Sequence, residues 1–166
     1  CDTSGVSVTN ISASDPVMTA TLTPETVLTL LAPNGGEVIP SGSIYSILWG
    51  APSDAVKFDL SYSMNNGTTW KPLASNLVNT SYNWKVPIPL NNKKKCLIRV
   101  IGYNSSDIQI EEDISDSTFT IEVVRLTSPD GGENFTSGSM HTIKWLTNVT
   151  KRPVAKVKLF YTIDAG

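Results

Sequence analysis

The order of hydrophobic and polar residues predicts short β-strands along most of the chain. Val56, Phe58, Leu60 and Tyr62 alternate with polar residues, a period of two that is typical of a strand with one buried face. Further strands are expected at 27–31, 45–49, 69–73, 81–86, 96–101 and 118–123. No stretch of twelve residues carries the apolar stripe of an amphipathic helix. We therefore predict an all-β protein.

The chain also contains an internal repeat. Pro-Asn-Gly-Gly-Glu at 33–37 returns as Pro-Asp-Gly-Gly-Glu at 129–133, an offset of 96 residues. The strand at 56–62 has its counterpart at 155–162, after a three-residue insertion. We assign residues 1–28 to an N-terminal tether or to strands of a neighbouring domain, 29–124 to a complete first repeat, and 125–166 to the first strands of a second, incomplete repeat.

About seven short strands in 96 residues indicate an antiparallel immunoglobulin-like β-sandwich, complete once and partial the second time. Comparison of the copies orients one strand. Leu48 is replaced by Lys144, so that face should meet water and the tryptophan on the opposite face should be buried. The predicted core residues are Trp49, Trp145, Phe58, Leu60, Tyr62 and Phe119.

The motifs resemble a known repeat. They include Pro-Asn-Gly-Gly-Glu at 33–37, Tyr-Ser-x-Asn-x-Gly-x-Thr-Trp at 62–70 and Trp-x-Val-Pro at 84–87. This pattern resembles the Ig-like repeats of large secreted and cell-surface proteins of bacteria and archaea, and it is similar to the Ser/Thr-rich domain of yeast cell-wall assembly proteins. The resemblance covers 31–121 and, in part, 126–166. It implies a β-sandwich that serves as a stalk, spacer or interaction module, and it implies no activity.

Composition argues against several classes of function. Lys and Arg number 13 and Asp and Glu 15, a near-neutral net charge of −2 that gives no electrostatic footprint for nucleic acid. One His and two Cys cannot build a multi-ligand zinc or haem site in this chain. No catalytic Ser-His-Asp or Cys-His arrangement repeats between the copies. We therefore predict that the chain is not an enzyme and holds no cofactor, apart from the calcium considered below.

The chain has the composition of a surface protein. It contains 19 Ser, 18 Thr and 12 Asn, and the N-glycosylation pattern occurs at Asn10, Asn66, Asn79, Asn104, Asn134 and Asn148. A start at Cys1 followed by small polar residues is similar to a processed bacterial or archaeal lipoprotein, which makes Cys1 a lipid-anchor candidate. The alternatives are an arbitrary fragment start or a disulfide to Cys96. We expect an extracellular or cell-surface location.

Three local motifs have two interpretations each. The acidic stretch 107–116 offers Asp107, Asp113 and Asp116 as candidate calcium ligands, or it is a solvated loop. The 63–70 segment is similar to the Asp-box hairpin of sialidases, but a repeat of 96 residues does not fit propeller blades of about 40–50, so a structural turn is favoured. Residues 93–95, three lysines, are a solvated turn or a contact for an anionic surface polymer or lipid.

These observations predict a non-enzymatic extracellular module for spacing, adhesion or subunit assembly, contacting protein partners or further repeats of the same chain. A carbohydrate-binding accessory module of a secreted hydrolase is the first alternative, with Trp70, Tyr82 and Tyr103 as candidate contacts for a polysaccharide. A fragment of a larger surface enzyme with catalysis elsewhere is the second. The incomplete second repeat belongs to a longer protein, or another subunit completes residues 125–166 by strand exchange, or the half-domain is disordered or packs on the first repeat.

Overall fold

The computed structural model describes residues 6–9, 21–24, 26–150, 154 and 156–163. Regular structure in this part of the chain is entirely β-strand, which confirms the all-β prediction, and no helix long and apolar enough to cross a membrane occurs there. The strands are β1 (Val6–Thr9), β2 (Thr21–Pro24), β3 (Thr29–Ala32), β4 (Val38–Pro40), β5 (Ile44–Gly50), β6 (Lys57–Ser63), β7 (Lys71–Leu77), β8 (Ser81–Lys85), β9 (Lys93–Tyr103), β10 (Gln109–Ile114), β11 (Phe119–Glu122), β12 (Val124–Ser128) and β13 (Lys144–Thr147). β1 and β2 pair with each other in antiparallel orientation.

Strands β3 to β11 form the two layers of an immunoglobulin-like β-sandwich, as the sequence predicts. The smaller sheet has the order β3-β5-β8. The larger sheet has the order β4-β11-β9-β6-β7, and β10 also pairs with β9. Neighbouring strands are antiparallel, except that β4 runs parallel to β11. Each sheet turns one apolar face inward, so the first repeat has a single core between the layers.

The core is rich in aromatic rings. The ring centroids of Trp49 and Phe58 are 5.5 Å apart, and Trp84 lies 5.5 Å from Tyr62 and 6.1 Å from Phe119. Tyr62 is half-buried, and the other four rings are 2% exposed or less. The residues buried with them are Leu28, Leu30, Ile39, Ile47, Leu60, Val86, Cys96, Ile98, Val100 and Ile121. Each fully buried Leu, Ile or Val contributes about 1.5–3 kcal/mol.

The Pro-Asn-Gly-Gly-Glu turn carries the chain from one sheet to the other. β3 pairs with β5 in the smaller sheet, and β4 pairs with β11 in the larger one. The Glu37 carboxylate closes the turn, because it accepts the N–H groups of Asn34 and Gly35, both at 2.8 Å. Gly35 has a φ of 134°, and a Cβ at this position would lie 2.5 Å from Cβ of Ser117. Only glycine fits this close approach.

Two stretches that the sequence pattern predicts to be turns or loops are strands. The three lysines at 93–95 begin β9, because β11 extends the ladder and places Ile121 opposite Lys93. The acidic stretch contains β10, which pairs with the far end of β9. Both segments lack an apolar alternation of their own, and pairing with the long central strand β9 determines their conformation.

The second repeat reproduces the register of the first without its burial. Leu126 lies opposite Trp145 in β12 and β13, as Leu30 lies opposite Trp49 in β3 and β5. Leu30 and Trp49 are 0% and 2% exposed, whereas Leu126 and Trp145 are 46% and 43% exposed. The prediction that Trp145 is a core residue is therefore wrong here. The reason is the absence of an opposing sheet over β12 and β13 among the described residues.

The strand expected at 155–162 is also not formed, since the described residues 156–162 carry no strand pairing. The Pro-Asp-Gly-Gly-Glu turn does form. Glu133 accepts the N–H groups of Asp130 at 2.9 Å and Gly131 at 2.8 Å, as Glu37 does in the first repeat. The turn depends only on its own five residues, whereas a strand depends on a partner.

Candidate functional site

The junction between the repeats consists of a single residue, Val123, between β11 and β12. Val123 is 2% exposed. Asn92, which precedes β9, holds the backbone on both sides of it. Its Oδ1 accepts the N–H groups of Val123 at 2.7 Å and Val124 at 2.9 Å, and its Nδ2 donates to the Val124 carbonyl at 2.8 Å. A side chain of the first repeat therefore fixes the path of the chain into the second.

A segment of the second repeat returns to the first and adds further contacts. The Asn148 N–H donates to the Val123 carbonyl at 2.7 Å, and Asn148 Nδ2 donates to the carbonyl and to Oε2 of Glu122 at 3.1 and 3.2 Å. Glu122 is only 7% exposed, so these bonds satisfy a buried carboxylate. The Ser41 hydroxyl donates to the Val149 carbonyl. The two repeats are thus in contact on both sides of the linker.

The six candidate glycosylation asparagines have different surroundings. The exposed ones are Asn66, Asn79 and Asn134. Asn104 is half-buried and accepts two backbone N–H groups of its own loop. In Asn148 the amide nitrogen that a glycan would modify is occupied at the junction. Asn10 lies outside the described residues.

The acidic strand β10 fastens the two sheets together at one edge. Glu111 Oε2 accepts the N–H of Leu28 at 2.5 Å, and Asp113 Oδ2 accepts the N–H of Leu30 at 2.6 Å. Because β3 belongs to the smaller sheet and β10 pairs in the larger one, these bonds join the layers where no backbone ladder does. We call Glu111 and Asp113 the carboxylate clasp. Charge-assisted bonds of this kind are stronger than neutral ones.

The three candidate calcium ligands do not converge. Asp107 forms an ion pair with Lys57, Asp113 belongs to the carboxylate clasp, and Asp116 accepts a bond from Asn34 Nδ2 at 2.7 Å. Across the described ranges no group of three or more His, Cys, Asp or Glu side chains is placed to hold a metal ion. Each carboxylate has a structural partner of its own.

Trp70 lines a groove of about 200 Å³ on the outer face of the larger sheet. The guanidinium carbon of Arg99 lies 4.7 Å from the ring centroid of the half-buried Trp70, a cation–π contact. Arg99 Nε also donates to the Ser61 hydroxyl at 3.3 Å. Asp59 and Ser75 add polar atoms to the groove. The groove thus combines an aromatic ring, a cation and a carboxylate.

The three aromatic candidates for sugar binding do not form one platform. Trp70 directly precedes β7 and Tyr103 ends β9, both at the larger sheet, whereas Tyr82 lies on β8 of the smaller sheet and packs partly against the core. All three are half-buried. The Tyr103 hydroxyl donates to Asp59 Oδ2 at 3.5 Å, and desolvation, followed by the Asp59 charge, raises the pKa of Tyr103.

The hairpin similar to an Asp box is closed by its own side chains. Asn65 Oδ1 accepts the Ser63 hydroxyl at 2.8 Å and the N–H of Thr69 at 2.9 Å, and Ser63 Oγ accepts the N–H of Gly67 at 2.9 Å. Asn66 and Gly67 have φ values of 56° and 79°. Two consecutive positive φ values are typical of a tight hairpin turn.

Cys96 is a free thiol in the core, 0% exposed, and its Sγ donates to the Lys93 carbonyl at 3.2 Å. Burial raises the pKa of Cys96 to about 11, so it stays protonated and behaves as a small apolar side chain. Cys1, the lipid-anchor candidate, lies outside the described residues.

No protein-family model and no curated protein matches this sequence. Solved structures with partial similarity include an Fn3-like protein from Clostridium thermocellum, 16% identical, with 59% of this chain and 88% of that chain covered. The fibronectin(III)-like modules of CbhA from the same organism are 14% identical, with 56% and 94% covered. A beta-1,2-glucanase from Parabacteroides distasonis is 13% identical, with 72% of this chain and 14% of that chain covered. Each has a TM-score of 0.39.

Proposed function

We propose that this chain is a non-enzymatic structural and interaction module of the cell surface, in which successive repeats are joined at a fixed angle and distance. One observation carries the proposal. Val123 alone separates the repeats, and hydrogen bonds from Asn92 and Asn148 hold the backbone around it. A fixed connection between domains keeps their spacing and relative orientation constant, which is what a spacer or an assembly scaffold requires.

The energetics of the junction favour a rigid connection. Rotation of one repeat against the other would break the bonds of Asn148 to the buried Glu122 and leave Oε2 of that carboxylate without its hydrogen-bond donor, although Arg125 Nε lies 3.7 Å from Oε1. An unsatisfied buried polar group costs about 1–3 kcal/mol, more if charged. A flexible Gly/Ser-rich linker would carry no such cost, and the junction contains no such segment. The Ser/Thr/Asn-rich composition and the exposed asparagines support an extracellular setting.

Spin-label distances between the repeats test the proposal. Labels at Asn79→Cys and Asn134→Cys, in a Cys1→Ser background, report on exposed positions of the first and second repeat, while Cys96 stays buried and unlabelled. We expect one narrow distance distribution for the parent protein and a broad one after Asn92→Ala and Asn148→Ala. Asn83→Ala, an exposed change away from the junction, is the control. A parent distribution as broad as that of the junction variant contradicts the proposal.

A carbohydrate-binding accessory module is the second candidate, favoured by the Trp70 groove. Its aromatic ring, Asp59 and Ser75 are the group types that contact sugar rings and hydroxyls. Electrophoresis through gels that contain neutral polysaccharides, such as β-glucans, tests it. We expect retardation of the parent chain, loss of retardation in Trp70→Ala, and no release of reducing sugar. Equal retardation of Trp70→Ala and the parent removes this candidate.

A further inference from the structure

A trough rimmed by lysine side chains crosses one end of the first repeat. It consists of two adjoining grooves of about 220 and 480 Å³, and both are lined by Tyr62, Met64, Lys71 and Lys93. The larger groove continues along loop 87–91, and the smaller one reaches Asn65 in the hairpin after β6. We call this surface the lysine trough. Two joined grooves suit an extended ligand better than a compact one.

The floor of the lysine trough is apolar and preformed. The Tyr62 ring packs 5.5 Å from the core ring of Trp84, and Met64 also packs against the core. Burial raises the pKa of Tyr62, in keeping with its place at the edge of the core. Loop 87–91 adds two proline rings with fixed φ. Since the floor is already ordered, a ligand would not need to order it on binding.

The rim is positive and lacks a counter-charge. No Asp or Glu lines either groove. Neither Lys71 nor Lys93 has an ion-pair partner within the described part of the chain. Lys94 and Lys95 follow in β9 and are exposed. The net charge of the whole chain is −2, whereas this end of the first repeat is positive. An anionic ligand therefore complements its charge.

Strand geometry favours a polysaccharide over a peptide. Lys71 on β7 lies directly opposite Tyr62 on β6, so the trough crosses the strands and does not follow the free edge of β7. A peptide that adds to a sheet uses the row of N–H and C=O groups along such an edge. A polysaccharide uses apolar surfaces and side-chain hydrogen-bonding groups, which Tyr62, Met64 and Asn65 provide.

We propose that the lysine trough binds an anionic polysaccharide built from uronate sugars. The ammonium groups of Lys71 and Lys93 pair with the carboxylates, and Tyr62 and Met64 pack against the sugar rings. This binding goes beyond the spacer role and does not depend on it. It is also separate from the Trp70 groove, which lies on the outer face of the larger sheet.

Calorimetric titration of the intact chain with polygalacturonate tests the proposal. Fully methyl-esterified polygalacturonate supplies the same backbone without the charge. We expect binding to polygalacturonate only, weakening as the ionic strength rises from about 0.02 to about 0.3 M because added salt screens exposed charges. Absence of binding to polygalacturonate, or equal binding to the methyl ester, overturns the proposal.

Matched variants locate the site. Lys71→Gln with Lys93→Gln should raise the Kd about tenfold. Lys156→Gln with Lys158→Gln removes the same charge from exposed residues of the second repeat and should leave the Kd unchanged. Both double variants should keep the parent melting temperature. Equal weakening in the two double variants shows a non-specific charge effect and refutes the site. Equally tight binding of poly-L-glutamate refutes the assignment to sugar.

Discussion

At the scale of single residues, Gly35 shows how closely the turn at 33–37 approaches the turn that precedes β11. Its φ of 134° is open to glycine, and a Cβ there would lie 2.5 Å from Cβ of Ser117. The neighbouring Gly36 has a φ of 82°, but no atom lies within 4 Å of the place of its Cβ. The two glycines therefore separate the cost of backbone conformation from the cost of steric overlap.

Alanine at these positions should destabilise the protein unequally. Gly36→Ala should lower the free energy of unfolding by about 1–2 kcal/mol, because only the left-handed conformation is penalised. Gly35→Ala should lower the free energy of unfolding by about 1–3 kcal/mol more than Gly36→Ala does, since the turn and the segment before β11 must also move apart. Urea unfolding followed by tryptophan fluorescence measures both. Equal losses would show that Ser117 does not restrict the turn.

Cys96 predicts a loss of stability in alkaline solution. Its pKa of about 11 in the folded protein exceeds the ordinary value of 9.0 because burial penalises the thiolate. The unfolded chain therefore releases this proton at lower pH, so the contribution of Cys96 to the free energy of unfolding is fully present below pH 9 and is lost as the pH rises towards 11. Cys96→Ala lacks this term and should show a shallower fall of the urea midpoint over the same interval. Identical slopes would contradict the prediction.

At the scale of elements, the alternation of apolar and polar residues is enough to identify strands that have one apolar and one polar face. β6 alternates between apolar and polar residues and was predicted within one residue at each end. β10 was missed, because its buried-side groups are the carboxylates of the clasp. Nothing in the local sequence shows that Glu111 and Asp113 have the N–H groups of Leu28 and Leu30 as partners some 83 residues away. In the sequence, a carboxylate that could bind calcium cannot be distinguished from one that accepts a backbone N–H group, because the difference depends on how the sheets pack.

Removal of the clasp should weaken the contact between the sheets. Asp113→Ala deletes the acceptor for the Leu30 N–H and should lower the free energy of unfolding by about 1.5–3 kcal/mol, the range for bonds to charged groups. Asp113→Asn keeps an acceptor and should cost less. Glu112→Ala, an exposed change on the same strand, should stay within about 0.5 kcal/mol of the parent. Chemical denaturation ranks the three, and a cost for Glu112→Ala equal to that for Asp113→Ala would argue against the clasp.

At the scale of the whole molecule, one register occurs twice with different burial. The pairs Leu30–Trp49 and Leu126–Trp145 occupy equivalent places in β3–β5 and β12–β13. The repeat, and with it this register, follows from the 96-residue offset in the sequence. Burial does not follow, because it depends on a second sheet that sequence similarity to the first repeat implied and that the described residues of the second repeat do not form. Core predictions carried from one repeat to another hold only where the whole sandwich is present.

The uncovered face of the second repeat should make the chain self-associate. Leu126 and Trp145 share one face and are 46% and 43% exposed, and a contiguous apolar surface of this kind favours pairing with another molecule. Sedimentation equilibrium should give a weight-average mass that rises with concentration above the monomer value of 17.9 kDa. Trp145→Gln should reduce this increase of mass with concentration. Val78→Gln also replaces an apolar side chain by a polar one, but at a 74% exposed position of the first repeat, and it should not reduce the increase. A mass that stays at the monomer value for the parent at every concentration would mean that this face needs no cover, and the same rise in Trp145→Gln would place the contact elsewhere.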